Sequence, residues 1–168
     1  RFRRQILSTA REVTDPAVLD VWEEELKNAN FIEPWFRLVT SPAVSSPLSI
    51  GLFRHATRVV LPERQYSAGD LHLIFRHELV HIGREDSWSK FFLVFCTAMC
   101  WFNPFMWKAM QKSADDLELS CDETVLVNAG ADTRKQYAGL ILETAGDGRG
   151  FTTCLSAAAS SLRYRLQN

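Results

Sequence analysis

The pentapeptide His77-Glu78-Leu79-Val80-His81 constrains this chain more than any other stretch. Residues four apart on an α-helix are separated by about 40° around its axis, so a helix here projects both imidazoles from one face, where they can hold one metal ion. Zinc peptidases use this spacing: neutral imidazoles bind the metal, and an unliganded carboxylate beside it takes a proton from its water. Coincidence is the competing explanation, and it produces the pattern in roughly one chain of this length in a few hundred. A zinc site therefore requires a helix over this segment and a third ligand elsewhere.

The surrounding sequence supplies the helix. Ser67 with Asp70 three residues on resembles a capping box, and Leu71, Ile74, Phe75, Leu79 and Val80 recur around the polar positions, so a helix is expected from about Ala68 to Ile82, stopped by Gly83. Upstream, a short helix to about Ala10 is followed by Asp15-Pro16, a cap and first-turn proline that open an amphipathic helix to about Asn30. Three apolar runs, Trp35–Val39, Ser49–Phe53 and Thr57–Leu61, are separated by turn residues and read as strands. Downstream, Asp86 is placed to cap a helix that is apolar nearly all round, from Trp88 to Phe102. Such a helix must be buried in protein or lipid. A full membrane span needs about 20 uninterrupted apolar residues, and Asn103-Pro104 cuts this run, which favours a core helix, or one at a membrane interface, over a span. Asn103-Pro104 opens a further helix to about Asn128, and Asp132-Thr133 open another to about Thr144. The class is thus α+β: a small N-terminal antiparallel sheet before a mainly helical core.

At 168 residues the chain fits one domain. Its 19 Lys and Arg nearly balance 20 Asp and Glu, which removes the basic footprint of a nucleic-acid binder. Four cysteines without zinc-finger spacing, Cys96, Cys100, Cys121 and Cys154, read as reduced thiols in a cytosolic compartment. The basic start Arg1-Phe2-Arg3-Arg4 also suits the cytoplasmic side of a membrane span, and Arg1 without a preceding Met suggests a domain excised from a longer protein.

Candidates for the third ligand lie on the helix after Asn103: Asp115, Asp116, Glu118, Asp122 and Glu123. Glu118 and Asp122 are four apart and share a face, so Glu118 can bind the metal while Asp122 accepts a hydrogen bond from a ligand histidine. Asp116 and Glu123 read as solvated. Cys121 is an alternative soft ligand, though a buried cysteine is more often packing. His72, five before His77, falls on another face, and His55 lies in a loop between strands. An extended substrate needs a strand edge, and Ile50, Gly51, Leu52 and Phe53 offer one.

Over most of its length the chain resembles the zinc metallopeptidase domain of the beta-lactam-sensing signal transducers, a family of membrane-bound antirepressor peptidases. The resemblance rests on SPLSIGLFRHATRVVLP, HELVHIGRED, WFNPFMW and ELSCDETVL, in the family's order. It implies a gluzincin core with one Zn2+ per chain, His77, His81 and Glu118 as ligands, Glu78 as the catalytic carboxylate and Asp122 as supporting acid. It also implies a place on the cytoplasmic face of the bacterial cell membrane, with membrane helices of a parent protein as partners and a repressor or the chain itself as protein substrate. A candidate self-cleavage region falls at Arg163 and Tyr164. Arg84-Glu85-Asp86 departs from the more basic loop usual in the family. Two other functions compete: a quality-control peptidase of similar core, and a non-catalytic, metal-stabilised interaction module.

Overall fold

The computed structural model of this chain describes residues 2–53 and 56–146, so His55, Cys154, Arg163 and Tyr164 lie outside the described residues. Its elements run α1 (Phe2–Thr9), β1 (Arg11–Glu12), α2 (Pro16–Asn28), β2 (Arg37–Ser41), β3 (Leu48–Ile50), β4 (Arg58–Pro62), α3 (Ala68–Gly83), α4 (Asp86–Met99), α5 (Pro104–Val125) and α6 (Ala131–Gly146). The architecture is α+β, with the strands early and the helices late.

The sheet has the order β1-β2-β4-β3 and is mixed where the sequence suggested antiparallel pairing throughout. β1 with β2 and β3 with β4 are antiparallel, but β2 and β4 are parallel, Leu38 standing opposite Val59. The cause is the order of laying down. After β2 the chain passes the place β4 will fill, forms β3 at the edge, and returns as β4 between the two, in the direction of β2. Strand alternation then divides the core. Leu38, Val59 and Leu61 face α2 and α3, while Val39 and Val60 face Ile6 of α1 and Val44.

The caps that start the helices are those the sequence shows. Asp15 accepts from the Ala17 N–H at 3.0 Å, Ser67 from that of Asp70 at 3.1 Å, and Asn103 from that of Phe105 at 3.0 Å. The Asp70 carboxylate is tied across to α6 by the Gln136 amide at 2.7 Å. Two stripes bury α3. Leu71, Phe75, Leu79 and Ile82 pack against α2 and the sheet, where Trp22 meets Phe75 edge-on at 5.0 Å between ring centroids. Burying a side chain the size of Phe75 contributes about 2–3 kcal/mol. Leu73 packs with Cys121 and Val125 of α5 and Tyr137 of α6, and His77 and His81 continue that stripe at intervals of four.

Two expectations about the end of α3 and the start of α4 need correction. Gly83 is the last residue of α3, one beyond the expected end, and it is Glu85 that takes the left-handed turn, with φ 54°. Asp86 does not cap α4. Glu85 occupies the cap position, its side chain making no cap hydrogen bond, and Asp86 turns inward. The preference for a core helix over residues 88–102 also fails. α4 and α5 form a hairpin that packs only along its inner faces, so Asp86 and Thr97 are the buried residues of α4 among those described, while Phe92, Phe95 and Met99 stay exposed.

Candidate metal centre

The side chains of His77, His81 and Glu118 converge where α3 and α5 meet, beside α4 and α6. His77 Nε2 and His81 Nε2 are 3.1 Å apart, and Glu118 Oε2 of α5 lies 3.8 Å from the first and 3.5 Å from the second. Nitrogen and oxygen donors bonded to one zinc at about 2.0–2.2 Å stand about 3.3–3.5 Å apart around a tetrahedron, so this donor set fits the ion and leaves one corner open. The structure thus brings together three residues separated by up to 41 positions in the chain.

The far nitrogens of both rings are committed elsewhere. His81 Nδ1 lies 2.7 Å from Asp86 Oδ2, and this carboxylate is buried and can only accept, so the Nδ1–H donates. Tyr137 donates its single hydroxyl proton to Asp122 Oδ1 at 2.6 Å and therefore accepts from His77 Nδ1–H at 2.8 Å. Both Nε2 atoms are left facing Glu118. Carboxylate partners of this kind fix the tautomer and orientation of metal-binding histidines. Asp122 stands beside His77, as its spacing from Glu118 suggested, but it acts through the Tyr137 hydroxyl, with the direct separation at 3.6 Å.

Cys121 is the competing third donor. Its Sγ belongs with the ring nitrogens of His77 and His81 to a group whose ligand atoms all lie within 4.8 Å of one another. Its contacts with His77, however, are to Nδ1 at 3.4 Å and to the carbonyl oxygen at 3.5 Å, the side turned away from Glu118. Burial pushes its thiol above the usual range.

The charges around the three donors are coupled. Burial opposes ionisation of Glu118, yet a hydrogen bond from His81 and the charges of Lys90, His81 and His77 outweigh it and hold the carboxyl well below its ordinary range. Lys90 Nζ donates to Glu118 Oε1 at 2.9 Å. Burial likewise opposes protonation of His81, and hydrogen bonds with Cys121 and Glu118, with the charge of Glu118, raise its pKa to about 11. Glu78, almost fully buried on the neighbouring face of α3, shifts the other way. Burial raises it above the ordinary carboxylate range, against the lowering effects of His81 and a hydrogen bond from Ser49.

The remaining sequence candidates fall nearby or away. β3 is an edge strand, but it ends at Ile50, so only Ile50 of the four suggested edge residues lies in it. Gly51 leaves the strand with φ 139°, and a Cβ there would stand 2.5 Å from Thr57 Cα, a fit only glycine allows. Gly51, Leu52 and Phe53 instead line an open cavity of about 250 Å3 with Trp35, His81 and Trp88. A larger hollow of about 510 Å3 sits at the end of α2, away from the histidines. His72 faces away from the centre, bonded through Nδ1 to the buried Glu25 at 2.9 Å. Asp86, Tyr137, Lys90 and Ser49 escaped the sequence reading. Of these, Asp86 left a trace, as the acidic end of HELVHIGRED; the other three left none, because their partners are distant in sequence.

Residues 1–168 match the family described as BlaR1 peptidase M56. The regulatory protein BlaR1 of Bacillus licheniformis is 28% identical over 130 residues, covering 76% of this chain and 21% of that protein. The chain therefore spans about a fifth of the length of that curated relative.

Proposed function

The chain belongs to the BlaR1 peptidase M56 family, and from this we propose that it is a zinc-dependent endopeptidase, the effector domain of a membrane-bound sensor that cleaves a transcriptional repressor, itself, or both. The observation that carries the proposal is the pair of histidines whose Nδ1 atoms are tied to Asp86 and, through Tyr137, to Asp122, while both Nε2 atoms face Glu118 Oε2. His77, His81 and Glu118 would hold the ion. Zinc held there supplies a Lewis acid that polarises the scissile carbonyl and makes a water molecule easier to deprotonate.

Glu78 is the proton carrier. Its carboxyl is not among the three converging donors, and its raised pKa brings it toward the range in which a group both takes and releases a proton at neutral pH. It accepts the proton of the attacking water as the carbon–oxygen bond forms, then hands that proton to the amide nitrogen as the carbon–nitrogen bond breaks. Ser49, hydrogen-bonded to Glu78 from β3, holds the carboxyl in place and links it to the strand edge along which an extended peptide can lie. Membrane placement on the cytoplasmic face, beside helices of a longer parent protein, belongs to the same proposal. It is supported by the family and by the relative's regulatory name. A sensing role for beta-lactams rests on the same resemblance.

The test is incubation with a purified candidate repressor, read by mass spectrometry for cuts in the repressor and in the chain itself, Arg163 and Tyr164 included. Cleavage by the wild type that is absent in Glu78→Gln and abolished by a zinc chelator is the expected result. Equal cleavage by Glu78→Gln would refute the proposal.

A further inference from the structure

We propose that Lys90 is a positioning residue of the candidate centre: it holds Glu118 Oε1, so that the carboxylate ligates through Oε2 alone and one corner of the site stays open. This role rests on the assignment of His77, His81 and Glu118 as the ligands. The two oxygens of Glu118 have separate partners. Oε2 is the one that faces the rings, 3.8 Å from His77 Nε2 and 3.5 Å from His81 Nε2, while Oε1 accepts from Lys90 Nζ at 2.9 Å. The lysine is 28 positions away in sequence, on another helix.

A carboxylate can bind a cation through one oxygen or through both. With two histidines already in place, a glutamate using both oxygens takes up the corner that a catalytic site keeps free for water and substrate. Something must therefore occupy the second oxygen. A lysine ammonium suits that task, because it donates three hydrogen bonds, accepts none, and forms a short charge-assisted bond to a carboxylate. The competing account is an ordinary surface ion pair, which contributes little. Two observations favour positioning. The Glu118 side chain is only 28% exposed, so its carboxylate has little solvent to turn toward. Lys90 also stands four residues after Asp86, which puts both on one face of α4: Asp86 braces His81 through Nδ1 and Lys90 braces Glu118 through Oε1. One turn of a single helix thus supports two of the three ligands. The charge of Lys90 is felt by Glu78 as well, where it favours the ionised carboxylate, so the ammonium lies near the proton carrier and the third ligand together.

The test replaces zinc by cobalt(II), whose visible absorption is strong with four ligands and weakens with five, and compares wild type, Lys90→Met and Lys90→Arg. Lys90 is half-exposed and helical, so both substitutions are accommodated, with circular dichroism as the check. Wild type and Lys90→Arg, which keeps a charged N–H donor, should show the strong band. Lys90→Met should still bind one cobalt per chain but lose band intensity. Its open corner is then probed by titration with imidazole, a neutral ligand that a missing lysine charge neither attracts nor repels, and imidazole should bind about tenfold more weakly or worse. A wild-type spectrum and wild-type imidazole affinity in Lys90→Met would overturn the positioning role while leaving the ligands standing. So would a loss in Lys90→Arg as large as in Lys90→Met, since a donor to Oε1 would then not be what matters. Wild type that binds no cobalt would overturn the ligand assignment itself, and the role of Lys90 with it.

Discussion

Replacing Asp86 by Ala isolates the clearest support of the centre. Asp86 is buried and holds His81 Nδ1 at 2.7 Å, and it is five residues from that histidine, beyond the end of α3. Its removal leaves the ring free to turn and the Nδ1–H without an acceptor. Loss of such an outer partner lowers metal affinity by about 10–100-fold, or about 1.4–2.7 kcal/mol. Asp86→Asn gives an internal control, since its amide oxygen can still accept from Nδ1–H and should recover part of the affinity. The assay is competition for zinc against a chromophoric chelator, with circular dichroism to confirm the fold. Because Asp86 is also 3.6 Å from Arg84 Nε, an Arg84→Ala variant separates loss of that ion pair from loss of the histidine contact. Zinc affinity in folded Asp86→Ala equal to that of the wild type would refute the idea that Asp86 orients His81.

Other consequences follow from the same geometry. Tyr137→Phe removes the hydroxyl between His77 and Asp122 and takes a hydrogen bond from that buried carboxylate, costing about 1–3 kcal/mol in denaturant unfolding and weakening zinc binding. Gly51→Ala places a Cβ against the backbone of Thr57 at a positive φ and should cost about 2–4 kcal/mol, read in the same way. In the metal-free protein the His81 pKa is raised from 6.5 to about 11, so its stabilising contribution is complete below about pH 6.5 and is lost as pH climbs toward 11. Thermal unfolding of metal-free protein should therefore fall across that window, with a smaller slope in His81→Asn.

The motif helix was legible because its signals are local: a serine cap, apolar residues at helical spacing, and two histidines on one stripe. That Glu118 and Asp122 share a face was legible for a similar reason, since their relation is a helical interval within α5. What escaped was decided by tertiary packing. Tyr137 is 60 residues from His77, and nothing in its own helix marks its hydroxyl as the bridge to Asp122. The parallel pairing of β2 with β4 depends on β3 being laid down first at the edge, which no propensity encodes. Asp86 had a cap signature that its environment overrode, because a buried imidazole offers an acidic side chain more than an exposed helix end does. The apolar run over 88–102 was legible as a helix, but its periodicity did not show that its outer face stays exposed.

The zinc content of three purified proteins tests the central claim, that His77, His81 and Glu118 form the metal centre. With no added metal, wild type and Cys121→Ala should each carry one zinc per chain, and Glu118→Ala should carry little or none while keeping its helical content. Zinc retained in Glu118→Ala and lost in Cys121→Ala would contradict the account and assign the third position to the thiol.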